Sequence, residues 1–271
     1  MRSPTLAQVI DRFSPRITKG VFMSRPTVRL GRPYTRPALE TQPLPFRMRI
    51  AKSPEDIQRV CRHRGEAYAR HQPDLVQRLS LHEPEADDLR DDVVLVMAES
   101  HEDGSILGSL RLSTNINTPL RFEKEFELPQ RFQKGALMEA GRMVTQNGPL
   151  GRMVVPALIK VTSEVSYRVG ADFVLLIARA PLDRMYKAWQ FEDLYNGEKV
   201  VTSAQPGVPV TLFFMDIAQV DHRLRTANCP IYHFMAETHH PDIDLDFDFI
   251  HQRFNVPRLE RESRCLDESM V

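Results

Sequence analysis

Glu139 and Arg142 stand three residues apart in LMEAGRMVTQ, the stretch from Leu137 to Gln146, whose apolar flanks (Leu137, Met138, Met143, Val144) read as a strand entering a core. Side chains alternate faces along a regular strand, so residues three apart point to opposite sides of the sheet. Gly141 lies between the two charges, and a glycine inside a strand is a common mark of a β-bulge. One extra residue shifts the alternation, so that carboxylate and guanidinium can face the same side. A bulge also splays the strand from its neighbour and leaves backbone N–H groups without partners. A carboxylate to take a proton, beside N–H groups to hold an oxyanion, suits acyl transfer.

Other charges stand where apolar residues are expected. Arg111 sits inside ILGSLRLS, and Asp88 and Asp91 close a polar loop just before the apolar run VVLVMAE. A buried unpaired charge costs several kcal/mol, so these groups should meet partners. A single pair of this kind reads as a structural ion pair. Two aspartates, two arginines and a glutamate around one hairpin read as a site.

The elements that must position them follow from patterning. FRMRIA alternates as a strand. SPEDIQRVCRHRGEAYARH opens with a serine cap and an acidic first turn and repeats apolar residues at helical spacing. VVLVMAE, the turn HEDGS and ILGSLRLST form a hairpin, and LMEAGRMVTQ follows a basic, irregular connection. Then come helix VVPALIKVTSEVSYRVG, stopped by Gly170, strand ADFVLLIA, helix APLDRMYKAWQFEDLY and strand VPVTLFFMDIAQV. This order predicts an α/β (α+β) fold, one mixed central sheet with helices on both faces. Val155, Leu158, Ile159 and Val174 are spaced so that an apolar tunnel could form.

The bulk numbers bound the setting. The 271 residues hold 36 Lys plus Arg against 36 Asp plus Glu, so no overall field draws the chain to nucleic acid. Residues 1–47 nevertheless carry a local charge of +7. Residues 1–45 form a basic, Pro- and Arg-rich extension, read either as a flexible tail or as an amphipathic helix resting on an anionic membrane surface or acidic partner. Three scattered cysteines (Cys61, Cys229, Cys265) fit neither a disulfide framework nor a zinc site and favour a reducing cytoplasm. No apolar run reaches eighteen residues, so no segment is expected to span a bilayer.

The ordered set Arg64, Tyr68, Asp88, Asp91, Gly108 to Arg111, Glu139 and Arg142 resembles that of the autoinducer (acyl-homoserine lactone) synthases and the long-chain N-acyl amino acid synthases. Both belong to the N-acetyltransferase-like (GNAT) superfamily, whose fourth strand carries a bulge. The resemblance covers Phe46 to Val220, within a domain expected over residues 46–228. It implies an acyl-carrier-protein thioester, on a phosphopantetheine arm, as donor and an amino-acid amine as acceptor, with no tightly bound cofactor. Glu139 would be the base. Arg111 with Asp88 and Asp91 would order the loop that closes the site, and Arg142 and Arg64, near Tyr68, would position loops or the acceptor carboxylate. Tyr186, in YKAWQF, matches a Y-x-x-x-G-F segment with Gln190 in place of glycine, and would protonate the leaving thiolate.

Two departures refine the expectation. The superfamily's pyrophosphate loop is replaced by TQNGPLGR, where Gln146, Gly148 and Gly151 stand at the wrong intervals. A glycine turn at a helix start still suits one phosphate, which favours a carrier protein over coenzyme A. Met143, Val144, Gln146, Gly148, Gly151 and Arg152 are the expected donor contacts, with Arg121, Lys124, Arg131, Lys134 and Arg152 as docking groups for an acidic carrier. The tryptophan that autoinducer synthases usually carry between their arginine and aspartate positions is absent, since the one tryptophan is Trp189. That favours an N-acyl amino acid product. A lactone made with S-adenosylmethionine, or a non-catalytic acyl-carrier or lipid-binding module, is the alternative.

In the tail, residues 229–271, HHPDIDLDFDF mimics the start of a calcium loop. Phe247 replaces the required glycine and Arg253 the closing glutamate, so no metal site is expected. The alternation predicts instead a strand with Ile243, Leu245, Phe247 and Phe249 inward.

Overall fold

The computed structural model describes residues 39–256. The expectations for residues 1–38 therefore lie outside the described residues, as does the polar end beyond residue 256. A seven-stranded sheet organises the described chain. In chain order its strands are β1 (Phe46–Ile50), β2 (Val93–Ser100), β3 (Ile106–Thr114), β4 (Leu137–Thr145), β5 (Phe173–Ala178), β6 (Glu192–Asp193) and β7 (Thr211–Asp216). Their spatial order is β1-β2-β3-β4-β5-β7-β6. β4 and β5 run parallel and every other neighbouring pair is antiparallel, which makes the sheet mixed as expected.

Helices cover both faces because the buried strands present apolar residues to both. Val94, Val96 and Ala98 of β2 join Val154, Leu158, Val161 and Val165 of α3 (Pro149–Val169) in the main core. Leu95 and Met97 point the other way, onto Ile57 and Val60 of α1 (Pro54–Ala69). The Ser53 side chain caps α1 by accepting from the Asp56 N–H at 3.1 Å, a contact worth about 1 kcal/mol. α2 (Pro73–Leu79) follows α1 directly. Gly170, at φ +75°, ends α3 where the sequence predicts. The start of α3 lies earlier than expected, since Pro149 is at home in a first helical turn.

The connection between β3 and β4 is irregular but firmly seated. Leu120, Phe122, Leu128 and Phe132 are buried in a second apolar cluster, with Phe132 packed on Phe173 and Phe214 at ring distances of 4.7 and 5.1 Å. Phe122 lies in the short helical segment Arg121–Glu125.

Two sequence expectations are corrected. The helix after β5 is short: α4 (Leu182–Ala188) ends, Gln190 takes a left-handed φ of +66°, and the chain enters β6. The alternating tail is not a strand. The aspartates along it are engaged one by one: Asp242 accepts from the Leu44 N–H and meets His101, Asp244 pairs with Arg47, and Asp246 pairs with Lys52. Asp246 also accepts from the Phe249 N–H at 3.0 Å and so caps a helix, Phe247–Phe254, which follows α5 (Val220–Thr226) as α6. Ile250 and Phe254, four apart, are then buried in the main core, a spacing that period-two reading overlooks. Among the described residues, no helix is long and apolar enough to cross a membrane.

Candidate active site

The bulge is present on β4. Ser109 of β3 pairs with Val144 and Arg111 pairs with Gly141, so two steps on β3 face three on β4. The residue in the left-handed region is Arg142, at φ +54°, and not Gly141. Glu139 and Arg142 consequently line the same cavity.

On its other edge β4 pairs with β5 through three rungs, Leu137 with Phe173, Met138 with Val174 and Glu139 with Leu175. Past Glu139 the ladder stops and the two strands part. Ala140 to Thr145 on one side and Leu176 to Ala178 on the other line a cavity of about 340 Å³. Glu139 thus stands at the fork of a V, its carboxylate buried beside the cavity. Apolar walls come from Val144, Val155, Leu176, Ala178 and Met185. Of the expected tunnel residues Val155 lines this space, whereas Leu158, Ile159 and Val174 are packed in the core.

A charged network holds the wall opposite β5. The 3₁₀ turn Ala86–Leu89 is closed by Glu85 and Asp88, the Glu85 N–H donating to Asp88 at 2.8 Å. Asp88 accepts from Arg64 of α1 at 2.7 and 3.0 Å and from Arg111 of β3 at 3.1 Å. Burial pushes the Asp88 carboxyl up, but the two guanidinium groups outweigh it and hold the pKa below the ordinary value. Glu85 accepts from Arg142 at 2.6 and 2.7 Å and from Arg111 at 3.3 Å. Tyr68 is a further hydrogen-bond partner of Arg142. Helix α1, the turn and strands β3 and β4 are therefore bolted together by two carboxylates.

Three assignments change. Asp91 is no partner of Arg111; it is exposed and pairs with Arg253 of α6 at 3.3 Å. Glu85 takes its place. The spacing of Glu85 to Asp88, three apart ahead of a turn, is the sequence signal that could have found it. Arg64 is fully buried, donating also to the carbonyls of Leu81 and Glu83, and does not reach the cavity. Arg121 is not a free docking group: its Nη2 donates to Glu139 at 3.1 Å, and it lines the cavity.

Glu139 is held above the ordinary carboxylate range by burial, which outweighs the opposing fields of Arg121, Arg111 and Arg142. Tyr186, on α4, is buried edge-on to Phe191 at 5.2 Å and lines the same cavity. Its burial raises the phenol pKa, so it holds its proton at neutral pH. Met143 and Val144 are on the wall, whereas Gln146, Gly148, Gly151 and Arg152 form the adjoining turn and do not line the cavity. That turn demands its glycines: Gly148 sits at φ +99°, and a Cβ on Gly151 would lie 1.8 Å from the Gln146 carbonyl oxygen.

Among solved structures the chain is similar to BjaI, a CoA-dependent acyl-homoserine lactone synthase, in its structure with SAM and isopentyl-CoA. The TM-score is 0.50 and the identity 15%, over 77% of this chain and 98% of that one. It is also similar to FeeM, an N-acyl amino acid synthase from uncultured soil microbes, at a TM-score of 0.47 and 12% identity over 69% and 97%. No family model matches the sequence, and no curated protein matches it. The architecture is GNAT-like, and its fourth strand carries a bulge.

Proposed function

We propose that the protein is an N-acyltransferase that moves a long-chain fatty acyl group from an acyl-carrier-protein thioester to the amine of an amino acid. The observation that carries this reading is the buried Glu139 at the β4–β5 fork, beside a cavity with an apolar stretch at Val144, Val155, Leu176, Ala178 and Met185 and charged groups around Glu139 itself.

The chemistry runs as follows. An ammonium has no lone pair, so Glu139 first takes one proton from it. The amine nitrogen then attacks the thioester carbon; the C–N bond forms and the C–S bond breaks as the tetrahedral intermediate collapses. A second proton leaves nitrogen and, through solvent, replaces the one that the thiolate takes from Tyr186; Glu139 returns its proton to solvent, so the products are an amide and a free thiol. Arg142, held by Glu85, fixes the left-handed bulge that opens the fork. The Gly148 to Gly151 turn, at the N-terminus of α3, suits a single phosphate and supports a carrier-linked donor.

Incubation with acyl-acyl carrier proteins and amino acids, followed by mass spectrometry, tests the proposal. An N-acyl amino acid is the expected product. A lactone formed only with S-adenosylmethionine would replace the acceptor assignment, and tight acyl binding without turnover would overturn the enzymatic reading.

A further inference from the structure

We propose that Arg121 and Gln205 form the subsite that selects the acceptor, Arg121 binding the carboxylate of an α-amino acid and Gln205 Oε1 accepting from its ammonium, which faces Glu139. This rests on the acyltransferase reading above.

Among the arginines of the site, the donors differ in what remains free. Arg64 is spent on Asp88 and two carbonyls, Arg111 on Asp88, Glu85 and Asp87, and Arg142 on Glu85 and Tyr68. Arg121 keeps a free edge. Its Nη2 meets Glu139, but its Nε–H is buried with no hydrogen-bond partner among the described residues. Gln205 shows the complementary orphan: its Oε1 is buried and unpartnered among the described residues, and it lines the same cavity. The two are tied mechanically. Ser203 donates from Oγ to Glu125 at 2.6 Å, which fastens the Gln205 loop to the Arg121–Glu125 helical segment, while Arg78 of α2 holds the Ala204 carbonyl at 2.7 Å.

A buried unmet donor and acceptor in one cavity call for a ligand carrying both complements. An amino-acid zwitterion does, with carboxylate and ammonium on one carbon. The spacing agrees, because Arg121 already lies 3.1 Å from the base. Arg179 also lines the cavity, but it stands just past the end of β5, four residues on from the Glu139–Leu175 rung, about 13 Å at the rise of a strand. It is placed for a longer ligand. Charge balance points the same way. When Glu139 accepts the proton, Arg121 loses its counterion, and the substrate carboxylate supplies another.

The test compares an amino acid with the amine obtained by removing its carboxylate, using one acyl donor. Wild type should favour the amino acid in kcat/KM, through a lower KM. Arg121→Met should raise the amino-acid KM by about a hundredfold or more and collapse the preference, with Arg121→Lys recovering part of it. Gln205→Leu should raise the same KM by about tenfold without touching the donor KM. Retained preference in Arg121→Met overturns the subsite. If wild type transfers acyl groups to no amine, the acyltransferase reading fails separately. Calorimetric binding of the amino acid and of the amine to wild type and both Arg121 variants then decides the subsite: a preference lost only in Arg121→Met supports it, and equal binding by all overturns it.

Discussion

Arg111→Ala measures how far the charged network supports the fold. The arginine is almost wholly buried, at 5% exposure, and reaches Asp88 at 3.1 Å, Glu85 at 3.3 Å and Asp87 at 3.5 Å. Removing one partner of a buried pair costs about 3–5 kcal/mol, because the surviving charge is left uncompensated. Here Asp88 keeps both bonds to Arg64, and Glu85 keeps both to Arg142, so the cost should fall near the lower end, about 3 kcal/mol. Arg64→Ala strips Asp88 of its bidentate partner and breaks a buried bond to the Leu81 carbonyl and a half-buried one to the Glu83 carbonyl, so it should cost about 5 kcal/mol. Urea titration at pH 7 gives both numbers, and for a domain of this size 3 kcal/mol corresponds to a fall in Tm of about 6–12 °C. The acid side checks the mechanism. The Asp88 pKa lies below its unfolded value of 3.8, so its stabilisation is present above that pH and lost as pH falls through the folded pKa. Arg111→Ala should flatten this acid loss. A cost under about 1 kcal/mol in both variants, typical of exposed pairs, would refute the picture of a buried network.

Glu139→Gln should lower kcat by about two orders of magnitude or more while retaining the fold, which steady-state assays and circular dichroism would show together. In wild type, kcat/KM should rise with pH through a folded pKa above 4.5, because only the ionised carboxylate accepts a proton; a flat acid limb would remove Glu139 from that role. Burial disfavours the charged form, so the stability Glu139 contributes is present below pH 4.5 and lost as pH rises through its folded pKa. Glu139→Gln should therefore be no less stable than wild type at pH 7 by denaturant titration. Asp91→Asn should change stability by less than about 0.5 kcal/mol and leave turnover intact, in contrast to Asp88→Asn, which a side-by-side melt would reveal. Arg152→Glu, on an exposed first turn of α3, should raise the KM for a carrier-linked donor in a salt-dependent way and spare a short thioester mimic. Better turnover with coenzyme A thioesters and no salt dependence would end the carrier-docking idea.

Local chemistry was legible in the chain wherever it is written at short range. The Ser53 cap, the Gly170 stop, the β2–β3 hairpin and the apolar runs of the core strands follow from propensity and periodicity over a few residues. The bulge was legible too, though Gly141 pointed to the right place and Arg142 proved to hold the left-handed backbone. The tail shows the limit of pattern alone. DIDLDFDFI fits both a strand and a capped helix, and the choice fell to the Asp246 cap and to the core that Ile250 and Phe254 could reach. Partner choice lay further out of sight. Asp88 and Asp91 are both aspartates of the loop before β2, yet one is buried between two arginines and the other is exposed beside Arg253, 162 residues away. Glu85 and Arg121 joined the site for the same reason: pairing of charges is decided by which side chains share a desolvated space, and that depends on how distant segments pack.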